Sequence, residues 1–210
     1  MIKLALAALA LSTTLSATAA WNTAGDVLAA NATLTLSTAF AGPGDPDQPF
    51  NLSGTGAVDV GVLEAALLLP AYALDLAPEE AATEGSVAWQ SLVVAAGDRL
   101  SFDYAFTTFE TDFMDHAFVV LGDSVLTLAT RTQAGSGSFD HTFATGGTVL
   151  LGLGVVDTVD YLGVSTLHVD SVMLTPVPEP ASAGLMAAGL LALLGWGRRR
   201  RRRRTRQLGG

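Results

Sequence analysis

Glu110, Asp112 and Asp115 fall within six positions of one another, and Asp103, Asp157 and Asp170 could converge on them in a folded β-domain. Hard carboxylate oxygens at that density suit calcium, which takes six to eight oxygen ligands and tolerates irregular loops. The other reading of the same acids is a solvated loop in which turn aspartates bond their own backbone. Paired carboxylates also serve glycoside hydrolysis as acid and base. Nothing in the spacing sets two of them at a working separation, so a secreted polysaccharide hydrolase is the alternative to a domain without catalysis. His116, His141 and His168 are scattered, with none of the i, i+4 spacing of a zinc-binding helix. There is no Gly-x-Ser-x-Gly elbow and no phosphate-cradling glycine loop ahead of a lysine. The chain has no cysteine, which removes thiol catalysis, thiolate metal sites and disulfides together. Among the aromatics, Trp89 and Tyr104 sit in strand patterns and read as core. Tyr161, beside Asp157 and Asp160 in a loop-like stretch, is the candidate for stacking on a sugar ring.

These residues belong to a segment dominated by strand signals. Leu100, Phe102, Tyr104 and Phe106 alternate with Arg99, Ser101, Asp103 and Ala105, placing the large apolar groups on one face. Val87–Val94 precedes them across Ala96-Gly97-Asp98, which predicts a hairpin. Ala117–Leu121 and Val125–Thr130 flank Gly122-Asp123-Ser124, a second hairpin. Further strands are expected at Thr33–Thr38, Phe139–Phe143, Thr148–Val156 and Thr166–Leu174. A single helix is predicted over Val60–Leu69, capped by Asp59 and stopped by Pro70. Many short strands with glycine turns and little helix give an all-β fold, an antiparallel jelly-roll-like β-sandwich with one short helix. Its expected extent is residues 21–175.

Charge separates this segment from the ends. The net charge is −9, yet nine of the eleven basic residues are Lys3 and the arginines of Arg198–Arg206. Residues 21–175 keep Arg99 and Arg131 against nineteen Asp and Glu, a net charge of −17. Such a domain repels nucleic acid and anionic membrane surfaces and favours cations.

The two ends carry addresses. Lys3, the apolar run Leu4–Leu11 and the small residues Ala17-Thr18-Ala19 read as a signal peptide over residues 1–20, cut by signal peptidase. At the other end Val177-Pro178-Glu179-Pro180 cannot be helical, because each proline disfavours the α region in the residue before it. Ala181–Gly197 follows without a charge and predicts a C-terminal transmembrane helix of about 26 Å, slightly under a ~30 Å hydrocarbon core. The cluster Arg198–Arg206 then holds that end in the cytoplasm, leaving the acidic segment on the far side of the inner membrane.

This order of Val-Pro-Glu-Pro, apolar helix and arginine cluster resembles the PEP-CTERM sorting signal of Gram-negative bacteria, over residues 176–206. The resemblance implies processing by exosortase, a membrane-embedded cysteine transpeptidase. Its recognition would fall on Pro178, Glu179 and Pro180, and the released chain would accompany exopolysaccharide and biofilm matrix at the cell surface. Ala96–Tyr104, Asp115–Val120, Leu153–Asp157 and Val169–Val172 are similar to an ectodomain common among such proteins. That likeness implies a β-sandwich and brings no activity with it. The expectation is an exported, non-enzymatic structural or carbohydrate-binding module, with calcium as its one candidate cofactor.

Overall fold

The computed structural model of the chain describes residues 20–30 and 33–177, with Gly189 alone beyond them. The expected leader apart from Ala20, the Pro178-Glu179-Pro180 motif, the apolar stretch apart from Gly189 and the arginine cluster lie outside the described residues.

Eleven strands among the described residues form two antiparallel sheets. The first sheet contains β1 (Asn22–Ala24), β4 (Val58–Asp59), β5 (Ala82–Val94), β7 (His116–Leu121), β8 (Ser124–Thr130) and β10 (Gly147–Thr158). Its order is β1-β5-β10-β7-β8, with β4 also paired to β5. The second contains β2 (Asp26–Ala30), β3 (Thr33–Ser37), β6 (Arg99–Thr108), β9 (Gly135–Thr142) and β11 (Ser165–Thr175), in the order β2-β3-β11-β6-β9. From β5 onward every connection except β7–β8 carries the chain from one sheet to the other.

The period of two in β6 works as its sequence requires: Leu100, Phe102 and Phe106 are buried against Leu151, Leu153 and Val155 of β10, with Leu34, Leu36, Leu167 and Val169 completing the core between the sheets. A second apolar cluster lies on the outer face of the first sheet. There Leu63 and Leu67, from and just after α1 (Val60–Ala66), cover Val87, Phe118, Val120 and Val156. Strand β10 is therefore buried on both faces, which is why Val149–Val156 reads as an unbroken apolar run rather than an alternation. Gly152 and Gly154 interrupt that run where side chains press from above: a Cβ would stand 2.5 Å from Leu67 and 2.3 Å from the Phe118 ring.

Helix α1 starts where expected, with Asp59 Oδ1 accepting from Gly61 N at 2.8 Å, but ends at Ala66 rather than Leu69. Leu68 turns into the left-handed region at φ 59° and Pro70 follows. The β7–β8 hairpin is present, with Leu121 opposite Ser124 across Gly122-Asp123.

The expected hairpin between Val87–Val94 and Arg99–Phe106 does not exist. β5 and β6 lie in different sheets, and Ala95–Asp98 is a corner between them. One edge of β5 pairs with β10 along its length, and the other pairs with β1 and β4 only over Glu84–Trp89. The corner is tied instead to the segment between β9 and β10: Gly97 N donates to Phe143 O and Phe143 N to Asp98 O. A glycine–aspartate turn serves either purpose locally, and the pairing of β6 with β11 and β9 decides between them.

No helix among the described residues is long and apolar enough to cross a membrane.

Candidate functional site

The six acids read as one calcium shell occupy three separate places. Asp103 on β6 and Asp170 on β11 are cross-strand partners on the outer face of the second sheet. With Tyr104, Ser136, Ser138 and His168 they line an open groove of about 420 Å³. Here Thr33 Oγ1 donates to Asp170 Oδ1 at 2.8 Å, His168 Nε2 lies 2.8 Å from Asp170 Oδ2, and His168 Nδ1 lies 2.9 Å from Thr35 Oγ1. The Thr33 hydrogen bond, then His168, holds the Asp170 carboxyl below the usual carboxylate range. Hydroxyl, imidazole and carboxylate thus form one chain of hydrogen bonds. Thr35 lies on β3 between β2 and β11, where neighbouring backbone N–H groups serve the ladder rather than a developing oxyanion. The groove presents polar groups to a ligand more readily than it supports acyl transfer.

Glu110 and Asp112 lie in the loop between β6 and β7. Glu110 Oε1 accepts from the backbone N–H groups of Asp112 and Phe113, and Asp112 is exposed. This is the self-capping behaviour of turn acids.

Asp115 and Asp157 come together inside the sandwich, and they bring Glu84, a residue the sequence reading missed. β10 and β5 keep register from Gly147↔Val94 to Val156↔Gly85 and resume at Thr158↔Ala82, so Thr83 and Glu84 together oppose Asp157. A β-bulge of this kind re-aims side chains. Asp115 immediately precedes β7, on the other side of β10, where His116 pairs with Val156. All three acids fall at positions facing the second sheet, two along from Ser86, Ala117 and Val155. Glu84 is 2% exposed, Asp157 2% and Asp115 0%.

Asp115 has conventional partners: Ser165 Oγ donates to Oδ2 at 2.6 Å and Thr158 N to Oδ1 at 3.1 Å. Both oxygens of Glu84 and Oδ1 of Asp157 are buried with no hydrogen-bond donor. Burial, followed by the charges of Asp115 and Glu84, pushes Asp157 up to about 11. Burial is also the main cause that raises Glu84 to about 7 and Asp115 to about 6. Among the described residues no group of three or more His, Asp or Glu side chains is placed to hold a metal ion.

The signal for Glu84 was present. Extending the expected strand from Val87 back to Ala82 puts Glu84 on the inner face with Ser86 and Ala88, where a carboxylate is out of place.

Tyr161 is 56% exposed in the loop between β10 and β11, with its ring 6.3 Å from Phe40. Phe50 and Phe109, both exposed, pair at 5.2 Å, and Phe109 N bonds Val164 O beside the same loop. Tyr104 is half-buried, its hydroxyl donating to Leu128 O at 2.9 Å, in keeping with a core role.

The domain finishes at Thr175, the end of β11, and Val177 N donates to Asp98 Oδ1 at the corner between β5 and β6. A folded all-β domain that passes directly into a C-terminal address defines an exported protein processed at its tail. Residues 176–203 match the family model of the PEP-CTERM protein-sorting motif. The chain therefore carries a PEP-CTERM sorting signal, which implies export, a transient membrane anchor and processing by exosortase. No curated protein matches the chain.

Proposed function

We propose that exosortase cuts this chain near Pro178-Glu179-Pro180 and that the released β-domain joins the exopolysaccharide matrix at the cell surface as a non-catalytic structural or carbohydrate-binding module. The observation that carries this reading is position: the sorting motif begins at residue 176, one residue after β11 ends, so removal of the tail leaves the whole domain intact. Sheet-crossing connections of jelly-roll kind support the module reading. β11 spans eleven residues, about 36 Å at ~3.3 Å per residue. Tyr161 with Phe40, and Phe50 with Phe109, cluster near its Ser165 end, away from the end that feeds the sorting motif. An anchored domain thereby presents its exposed aromatic rings outward, where sugar faces can stack on them.

Mass spectrometry of the protein from its host tests the sorting reading. Wild type should lack the arginine tail, and a variant with Pro178, Glu179 and Pro180 changed to alanine should keep it. An intact tail in wild type would make this a permanently anchored protein and remove the matrix assignment.

The second reading, a secreted polysaccharide hydrolase, has one observation in its favour. Asp103 and Asp170 face the groove as a pair, and Asp170 is held as a carboxylate fit for a base or nucleophile. Turnover on a polysaccharide panel that disappears in Asp170→Asn would replace the module reading.

A further inference from the structure

We infer that Asp98 is a positioning residue of the sorting reaction: it pins Val177, the residue before Pro178-Glu179-Pro180, to the folded domain, and exosortase cuts chains in which Met173–Val177 has peeled away. The inference rests on the exosortase reading and adds to it the state of the domain from which the cut is made.

Asp98 is itself fixed before it holds anything. It is buried at the corner between β5 and β6. Its N donates to Ala95 O at 3.1 Å, its carbonyl accepts from Phe143 N at 2.9 Å, and its Oδ2 accepts from Ala95 N at 2.8 Å. Oδ1 is left for Val177 N, which donates to it at 3.1 Å. Val177 also lies over Gly97, where a Cβ would stand 3.1 Å from Val177 Cγ2, so the missing side chain makes room for it. Val177 is past the end of β11 and belongs to no ladder. A side-chain clasp, rather than sheet pairing, holds the residue next to the motif.

The stretch closed by this clasp can open separately from the rest of the domain. β3 leaves β11 at Val169, so beyond that point β11 is paired by β6 alone. Register shifts between Asp170 and Met173, with Ser171 at φ 59°, which sets the pairs Met173↔Ser101, Leu174↔Leu100 and Thr175↔Arg99 apart from the longer run Ser165–Asp170. Met173 and Thr175 are exposed, and of these three residues Leu174 packs on the core. A segment with one partner strand and little buried surface opens at a fraction of the free energy of global unfolding.

Opening matters because of what an enzyme must grip. A transpeptidase that reads a chain through its backbone needs the residues beside the scissile bond extended and unpaired. Here the residues ahead of the motif are paired to β6 or held by Asp98, and one N–H or C=O group cannot serve the sheet and the enzyme at once. Cleavage of a folded chain then follows the population of its opened form. The Asp98 clasp lowers that population.

Pulse-labelling of the full chain in its host, with mass spectrometry following loss of the arginine tail, tests the clasp. Asp98→Ala should lose the tail about tenfold faster than wild type. A spacer of about six glycine and serine residues between Val177 and Pro178 carries the motif clear of the clasp and should speed processing at least as much. In the spacer background Asp98→Ala should add nothing. Tyr104→Phe, which loosens the core elsewhere by removing the donor to Leu128 O, should be processed at the wild-type rate. Equal rates in wild type, Asp98→Ala and the spacer variant overturn the inference and leave the sorting reading standing. So does a Tyr104→Phe rate matching that of Asp98→Ala, since cutting would then follow global unfolding. A tail kept by every variant and by wild type removes the sorting reading and the inference together. If Asp98→Ala fails to fold, the spacer variant decides, and processing no faster than wild type overturns the inference.

Discussion

Raising the pH from 7 to 9 in the presence of a chelator should destabilise the domain by about 3 kcal/mol, because the folded Glu84–Asp115–Asp157 trio holds a proton that the unfolded chain releases. An acid whose folded pKa is raised binds its proton more tightly in the native state. Its contribution to stability is full below the unfolded pKa, near 4, and is lost as pH rises through the folded value. Asp157 is pushed to about 11 by burial and then by its two neighbours, so the trio keeps one proton in the native state across the whole window. The unfolded chain holds none of it there. One proton corresponds to about 1.4 kcal/mol per pH unit, hence about 3 kcal/mol over two units. The window is chosen to exclude His116, pushed down to about 4 by burial. Its effect has the opposite sign, a loss of stability as pH falls below about 6.5, and vanishes above pH 7. Thermal melts by circular dichroism should fall by roughly 6–12 °C between pH 7 and 9. Asp157→Asn, a neutral carboxyl mimic, should flatten the slope. A melting temperature that stays level or rises in chelator, or a slope that persists in Asp157→Asn, would refute the reasoning.

Other outcomes follow from individual contacts. Asp26→Ala removes the acceptor of Ser37 Oγ, Leu52 N and the Ser53 donors, and should cost about 3 kcal/mol in urea denaturation; a loss below about 1 kcal/mol would contradict the role given to that carboxylate. Gly85→Ala sets a Cβ 2.1 Å from Val155 O and 2.9 Å from Val156 Cα, backbone that cannot swing aside, and should cost about 3 kcal/mol or more by the same measurement. Tyr104→Phe leaves Leu128 O without its hydroxyl donor and should cost about 1 kcal/mol. Tyr161→Ala, on an exposed ring, should change stability by less than about 0.5 kcal/mol while lowering binding on a glycan array; unchanged glycan binding would remove Tyr161 from any ligand surface.

What was legible in the sequence was whatever a single segment expresses by itself. The alternation in Arg99–Phe106 gives a strand and its buried face, because side chains on a pleated backbone point to opposite sides whatever lies beyond them. Asp59 and Pro70 bracket a helix through bonds and clashes a few residues long. The sorting tail is readable for the same reason, being a linear order of proline motif, apolar run and arginines.

Partnership between segments was not legible. The Ala95–Asp98 turn looks alike as a hairpin and as a corner, and only the pairing of β6 within the second sheet and the bonds of the turn to Phe143 made it a corner. The unbroken apolar run of β10 identifies a strand, but α1 packing on the outer face explains why nothing polar alternates in it. The acids show the limit most clearly. Proximity in sequence grouped Glu110 and Asp112 with Asp115, yet in the fold Glu110 caps a turn and Asp112 is exposed while Asp115 is buried. Its true companions stand at positions 84 and 157, brought alongside by strand register and turned inward by a bulge. A sequence by itself determines the local backbone preference and the address of this protein. Which charges share a buried space is decided only by tertiary pairing, because that space is enclosed by residues dozens of positions apart.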